Sequence, residues 1–341
     1  MSRPKSREIR LARRPQGMPT RNDFATAETE VPEPGPGQVL VRNIYMSVDP
    51  YMRGRMVERD SYVPPFRIGE ALSGGAVGQV IESSNPQFQR GDYVSNFCGW
   101  REWFVSSGGD LQKIDPAMAP IQAFLGTFGM PGLTAYAGLL KVGELKDGER
   151  VFVSAASGAV GAVVCQIAKA KGCTVVGSAG SDEKCDWLVR EAGVDRAINY
   201  RTCGDLAKAV REALPEGIDV YFENVGGAHL DAALANMRLH GRIPVCGMIS
   251  QYNDAVLRPG PANIINVIQK RLTIRGFIVT DYATLMPEFL RDMADWYRSG
   301  KMKRRETVAE GIENAPDAFI GLFKGENIGK MLVKIGPNPA V

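Results

Sequence analysis

The segment RVFVSAASGAVGAVVCQIAKAKG, residues 150–172, decides the fold. Residues 150–154 are rich in Val and Phe, which predicts a buried strand. A run of small residues follows, and residues 161–171 then carry a small, apolar face at helical spacing. Gly158 and Gly161 keep the spacing of the last two glycines of a G-x-G-x-x-G turn, and Ala156 stands where the first would be. Such a turn lets backbone N–H groups at a helix N-terminus approach a pyrophosphate, which a Cβ would obstruct. Three small residues alone are weak grounds. The strand before them, the helix after them and the βαβ pattern beyond make them fairly specific. The competing reading is a tight strand–helix turn with no ligand.

Beyond this segment, strands are predicted at 174–177, 196–199, 219–223, 241–245 and 272–279, with helices at 183–192 and 205–214. A helix at 131–140 precedes the segment, and another at 287–299 follows the strand set. Strands alternating with helices imply α/β architecture with a parallel, doubly wound Rossmann sheet. Before it, 37–48, 75–82 and 91–96 read as strands broken by Gly and Pro turns, with the Pro-rich 31–37 as a surface loop. Residues 1–20 are basic and read as a solvated arm, with organelle targeting the lesser alternative. A helix at 314–325 leads to a strand at 330–335 that has no βαβ partner after it and is expected to return to the first domain. The expected division is therefore a discontinuous β-rich (GroES-like) catalytic domain, 1–130 with 300–341, and a Rossmann domain, 131–299.

Composition bounds the function. The chain has 341 residues, 44% hydrophobic and 23% charged, which is ordinary for a folded protein of two domains. Lys plus Arg is 41 against 38 Asp plus Glu, so bulk charge does not drive nucleic-acid binding. No apolar stretch approaches the roughly 18–20 residues of a membrane helix. Cys98, Cys165, Cys173, Cys185, Cys203 and Cys246 form no C-x-x-C pair, and reduced thiols in the cytoplasm are the simplest reading. With only His229 and His240, no cluster has zinc-ligand spacing, so no metal site is expected. Both histidines read as surface or satisfied structural residues.

The end of the second strand bears on the cofactor. A site for NADH usually places an acid there, on the ribose diol. Residues 177–181 hold none, and Lys184 lies one turn into the next helix. This favours NADPH, although on spacing alone Lys184 reads equally well as a solvated helix residue.

Several segments in order resemble the zinc-independent double-bond reductases of the medium-chain dehydrogenase/reductase superfamily. That group holds the leukotriene B4 12-hydroxydehydrogenase/prostaglandin reductases, plant alkenal reductases and bacterial curcumin reductases. The segments are VDPYMRGRM (48–56), GMPGLTAY (129–136), AASGAVG (155–161), AGSDEK (179–184), ENVGG (223–227), CGMISQYN (246–253), RGFIV (275–279) and ENAPDAFIGLFKGENIGK (313–330). The first and last bring the chain nearest the bacterial curcumin-reductase-like proteins. The resemblance implies that Gly158, Ala159, Val160 and Gly161 hold the pyrophosphate and that Lys184 meets the 2′-phosphate. It implies that Tyr200 flanks the adenosine and that Asn224 belongs to the cofactor site. Cys246, Gly247, Ser250 and Tyr252 run beside the nicotinamide half, Phe277, Ile278 and Val279 present backbone to the carboxamide, and Asn327 closes the far side. The zinc-dependent relatives carry a Cys and a Gly-His-Glu that are replaced here by Val48-Asp49-Pro50 and Ile68-Gly69-Glu70.

The implied reaction is NADPH-dependent reduction of the C=C bond of an apolar α,β-unsaturated ketone or aldehyde. It needs a hydrogen-bond donor for the enolate oxygen rather than a metal. Tyr252 is the first candidate donor, with Tyr51 and Tyr282 behind it, and aromatic packing is the alternative for each. A zinc-free quinone oxidoreductase and a non-catalytic NADPH-binding sensor are the competing functions. The resemblance also implies a homodimer, with 272–279 as an edge strand.

Overall fold

In the computed structural model, which describes residues 4–256 and 258–337, strand β1 (Lys5–Leu11) pairs antiparallel with β2 (Phe24–Glu30). The expected solvated arm is thus a strand from Lys5 onward. Ile9 and Leu11 are fully buried, and each such side chain contributes about 1.5–3 kcal/mol. The arginines that gave the segment its solvated look have acid partners: Arg7 meets Glu102 and Arg10 meets Glu8, each at 2.7 Å. Phe24, Trp100 and Phe319 pack with ring centroids 6.1 Å apart in the core beneath.

The β-rich sheet continues with β3 (Val39–Ser47), β4 (Ala76–Ser83), β5 (Tyr93–Asn96), β6 (Trp103–Ser106) and β7 (Gln112–Lys113). A single helical turn, α1 (Met52–Arg55), follows β3. Helix α2 (Met130–Ala137) leads to β8 (Arg150–Val153), α3 (Gly161–Ala170), β9 (Thr174–Ala179), α4 (Asp182–Arg190), β10 (Arg196–Asn199), α5 (Leu206–Ala213) and β11 (Ile218–Phe222). Then come α6 (Ala228–Asn236), β12 (Met237–Val245), α7 (Asn266–Lys270), β13 (Thr273–Gly276) and α8 (Met286–Arg298). These six strands form one sheet in the order β10-β9-β8-β11-β12-β13, parallel throughout. Numbered within the sheet this is the 3-2-1-4-5-6 order of dinucleotide-binding domains. Strand β13 is shorter than the expected 272–279, because the chain enters a 3₁₀ segment at Val279–Leu285. Helix α6 lacks the polar face that would mark it in the sequence, since AHLDAALAN is Ala-rich and mostly buried.

The C-terminal strand differs from expectation in one respect. Strand β14 (Glu306–Glu310), helix α9 (Ala315–Lys324) and strand β15 (Lys330–Lys334) make a βαβ unit, with β14 and β15 parallel. Strand β15 also pairs antiparallel with β3, through Leu332↔Ser47. The second sheet therefore runs β14-β15-β3-β4-β5-β7, with β6 on β3.

The chain forms two units, Met1–Leu125 with Glu306–Val341, and Gly126–Arg305. The boundaries fall before 130 and after 300 for local reasons. Gly132 and Leu133 donate their N–H groups to Gly126 and Gly129, which ties the approach to α2 into its first turn. Gln166 of α3 takes the Lys303 N–H at 2.6 Å and donates to the Lys303 carbonyl at 3.2 Å.

Candidate active site

At the β8–α3 turn, Ala156 donates its N–H to Ser178 O at 2.9 Å and Gly158 donates to Ala155 O at 2.9 Å. Helical bonding begins at Ala162 N–H to Gly158 O, so the N–H groups of Ala159, Val160 and Gly161 precede it. The two glycines serve different ends. A Cβ on Gly161 would strike Ala155 O and lie 2.8 Å from Ala156 Cα, so it is required for packing. A Cβ on Gly158 would meet Ala155 O at 3.2 Å, leaving the space over the turn clear of more distant parts of the protein. Ala156 replaces the first glycine without a clash because Gly177 faces it: a Cβ there would lie 2.6 Å from the Ala156 methyl. The cradle suits a pyrophosphate.

The end of β9 forms a cationic corner. Ser181 caps α4, its Oγ accepting the Lys184 N–H. Lys184 is half-buried, and burial followed by the nearby Arg201 charge pushes its pKa down. A Cβ on Gly180 would lie 2.8 Å from Tyr200 Oη and 3.3 Å from Arg201 Nε. Glu183 supports the Lys184 charge in part, and two adjacent cations at a strand end without an acid fit a 2′-phosphate. Arg201 is absent from the sequence reading. Its position directly after Tyr200 was the available signal. Tyr200 packs edge-on against His229, centroids 5.0 Å apart.

Beyond β11, the ENVGG turn is organised by Glu223, which is fully buried. Its Oε1 accepts from Tyr221 Oη (2.7 Å), Ser154 Oγ (3.1 Å) and the N–H groups of Val225 (2.6 Å) and Gly226 (2.9 Å). Burial pushes its pKa up, against the pull of those donors. Asn224 Nδ2 donates to Ser154 O at 2.8 Å and its N–H to Ser154 Oγ at 2.9 Å, so this side chain fastens the turn to β8. The 246–252 loop folds onto the same turn. The N–H groups of Cys246 and Gly247 reach Glu223 O, and Ser250 Oγ donates to Val225 O at 2.6 Å. Burial pushes the Cys246 thiol up to about 12, so it is protonated at neutral pH. The Tyr252 hydroxyl accepts the Met248 N–H at 3.2 Å, which polarises the phenol as a donor.

Phe277, Ile278 and Val279 follow β13 and are half-buried. The Phe277 ring packs edge-on against Phe222 and Tyr282, with centroids 6.3 Å and 6.2 Å apart. Its tip occupies the space where a Cβ on Gly138 would stand. Tyr282 is thereby an aromatic packing neighbour of Phe277.

Tyr51 and Asn327 belong to the first unit. Tyr51 precedes α1 and packs against the core that holds Met52, Met56 and Phe66. Burial and the Asp49 carboxylate push its pKa up, while Arg55 opposes them. Asn327 Nδ2 donates to Gly329 O at 2.7 Å, bracing the turn into β15. Lys330 is buried with Asp49, Nζ to Oδ1 3.0 Å.

His229 departs from expectation. It is buried, but its Nε2 has no hydrogen-bond partner, and burial pushes its pKa down to about 4. Among the described residues no group of three or more His, Cys, Asp or Glu is arranged to hold a metal. No described helix is long and apolar enough to cross a membrane.

A 3-2-1-4-5-6 sheet with a glycine cradle and a cationic corner defines a dinucleotide-dependent oxidoreductase. Residues 7–114 match a family described as the N-terminal domain of oxidoreductase, and residues 159–296 match one described as zinc-binding dehydrogenase. The NADPH-dependent curcumin reductase of Escherichia coli is 46% identical over 330 residues, covering 95% of each chain. The NADP-dependent 2-alkenal reductase of Nicotiana tabacum is 48% identical over 325 residues, covering 94% of each. The crystal structure of CurA with NADPH from Vibrio vulnificus superposes with a TM-score of 0.92 at 42% identity, covering 97% of this chain and 99% of that one. The chain belongs to the medium-chain dehydrogenase/reductase superfamily, in the group that contains curcumin reductase and 2-alkenal reductase.

Proposed function

We propose that the protein reduces the C=C bond of α,β-unsaturated ketones and aldehydes with NADPH. The observation that carries the cofactor choice is the corner of Lys184, Tyr200 and Arg201 around Gly180, at a strand end without an acid. The substrate class rests on the curcumin and 2-alkenal reductases that the chain resembles along nearly its whole length.

NADPH, when bound, would supply a hydride for the β-carbon of the enone. Gly158 to Gly161 would offer N–H groups to its pyrophosphate, and Lys184 with Arg201 would neutralise its 2′-phosphate. As the C=C bond is reduced, its electron pair moves onto the carbonyl oxygen, which becomes an enolate. A phenol donor stabilises that charge, and a proton reaches the α-carbon from water or from the donor. Tyr252, already polarised by the Met248 N–H, is assigned this role. Tyr282 packs on Phe277 and supports the carboxamide segment.

We also assign a homodimer. Strand β13 ends the six-stranded sheet with all four residues exposed, and Ile265 and Ile268 of the neighbouring stretch are 53% and 72% exposed. A second copy would cover both the edge and the apolar face. Six free cysteines accord with a reducing cytoplasm.

The test is NADPH oxidation with enones, enals and quinones, with product identification, before and after dialysis against a chelator. Saturated ketone or aldehyde formed at an unchanged rate is expected. Hydroquinone as the main product, or a rate recovered only with added zinc, would overturn the proposal.

A further inference from the structure

Glu223 is a buried carboxylate held without a cation. The groups that bond to its side chain are two hydroxyls and two backbone N–H groups, none of them charged. All four reach Oε1, while Oε2 has no hydrogen-bond partner among the described residues. The titratable side chains nearby add no charge at neutral pH. Burial pushes the Tyr221 phenol and the Cys246 thiol up, so both stay protonated. His229, in the first turn of α6, is pulled down to about 4 by burial and is neutral as well. Protonating Glu223 would put a hydrogen on Oε2, where nothing accepts it, and would weaken four bonds at Oε1. The donors therefore favour the anion. Bracing the turn needs only an acceptor, which the amide oxygen of a glutamine also supplies. The charge itself is costly in a buried setting, and the turn alone gives it no task.

Its place in the sheet supplies one. The β8–α3 turn suits the pyrophosphate and the corner beyond β9 suits the 2′-phosphate, so the other half of the cofactor falls on the opposite side of β8, over the ends of β11 and β12. Glu223 stands at that point. It follows β11 directly, takes the Ser154 hydroxyl from the end of β8, and bridges to Val245 at the end of β12. Phe222 beside it packs on Phe277, the first residue of the segment read as meeting the carboxamide. Hydride transfer creates positive charge on that half. The reduced ring of NADPH is uncharged. It gives up a hydrogen with two electrons to the β-carbon and becomes the cationic ring of NADP⁺, while the enone becomes the enolate. A fixed anion in a site of low dielectric favours the cationic ring and needs no reorganisation as the charge appears.

We propose that Glu223 is an electrostatic partner of the nicotinamide: its buried carboxylate makes the site hold the oxidised, cationic ring more tightly than the reduced one and so promotes departure of the hydride. This rests on the reading above that the site takes NADPH, with the nicotinamide over β11 and β12.

The test is fluorescence titration of the full-length protein with NADPH and with NADP⁺ at neutral pH, for the unmodified chain, Glu223→Gln and Glu223→Asp, with thermal melts to establish folding. Glu223→Gln keeps an acceptor for the turn and deletes the charge. It is expected to weaken NADP⁺ about tenfold more than NADPH, and to slow single-turnover hydride transfer to an enone by a similar factor. Glu223→Asp keeps the charge on a shorter arm, so both cofactors should weaken together with their affinity ratio preserved. Should Glu223→Gln fail to fold, Tyr221→Phe carries the test: with one donor fewer the charge is less neutralised, and the preference for NADP⁺ should rise about two- to threefold. An unmodified protein that binds neither cofactor overturns the reading, and the proposal with it. If both bind but Glu223→Gln, or Tyr221→Phe in its place, leaves their affinity ratio unchanged, the reading stands and the Glu223 proposal alone is overturned. An equal fall in the ratio for Glu223→Asp and Glu223→Gln would trace the effect to the turn rather than the charge and would overturn the proposal too.

Discussion

Lys184 and Arg201 sit together, with burial and then the Arg201 charge set against the charge of Lys184 and Glu183 supporting it. Lys184→Ala should weaken NADPH binding about tenfold to a hundredfold, the range of one charge-assisted contact, and leave NADH nearly unchanged. Equal losses for both cofactors, measured by fluorescence titration, would count against the phosphate assignment. Tyr252→Phe deletes one hydroxyl and keeps the ring. It should lower kcat about tenfold to a few hundredfold with the fold intact, since water still delivers the proton. An unchanged kcat would reduce Tyr252 to a packing residue. His229 titrates at about 4 when folded, below its ordinary value near 6.5. The unfolded chain therefore binds a proton first as pH falls. Stability is unaffected above about pH 6.5 and declines between there and about 4, by up to about 3 kcal/mol. Replacing His229 with Gln should flatten the melting temperature over that window, and a slope identical to that of the unmodified protein would refute the assignment.

At the scale of elements, the β8–α3 turn was legible because its glycine spacing, strand and helix are contiguous, whereas two strands were not. Strand β1 was hidden: its Ile9/Leu11 alternation is interrupted by Arg10, which pairs with Glu8, and preceded by Arg7, whose partner Glu102 lies far along the chain. Strand β14 was hidden as well, since ETVAE is short and only half-buried. The buried face of β1 gives a direct check. Ile9→Ala removes a fully buried side chain and should cost about 2–5 kcal/mol in denaturant unfolding. A loss under about 0.5 kcal/mol, the usual surface value, would mean that the strand is peripheral after all.

For the whole molecule, the exposed edge of β13 and the apolar stretch about Ile268 make the assembly testable. Sedimentation should give a dimer, and Ile268→Asp should shift it toward monomer by placing a charge in the covered face. A monomer at every concentration would remove the second copy as the occupant of that surface.

Taken by itself, the sequence determined what contiguous residues can encode. Those are the alternation of strand and helix from 150 to 223, the small residues at 156–161, the acid-free end of the second strand and the shortage of histidine. Local periodicity and turn chemistry act over a few residues, so they can be read in a line. Tertiary structure alone decided which distant groups meet. It placed Gly177 opposite Ala156, Arg201 beside Gly180, Glu223 beneath the turn it braces, and β14 alongside β15. It also separated the two glycines of the cradle by purpose, one for packing against Ala155 and Ala156 and one for open space. Such pairings depend on burial and on neighbours far along the chain, whose energies no local pattern carries.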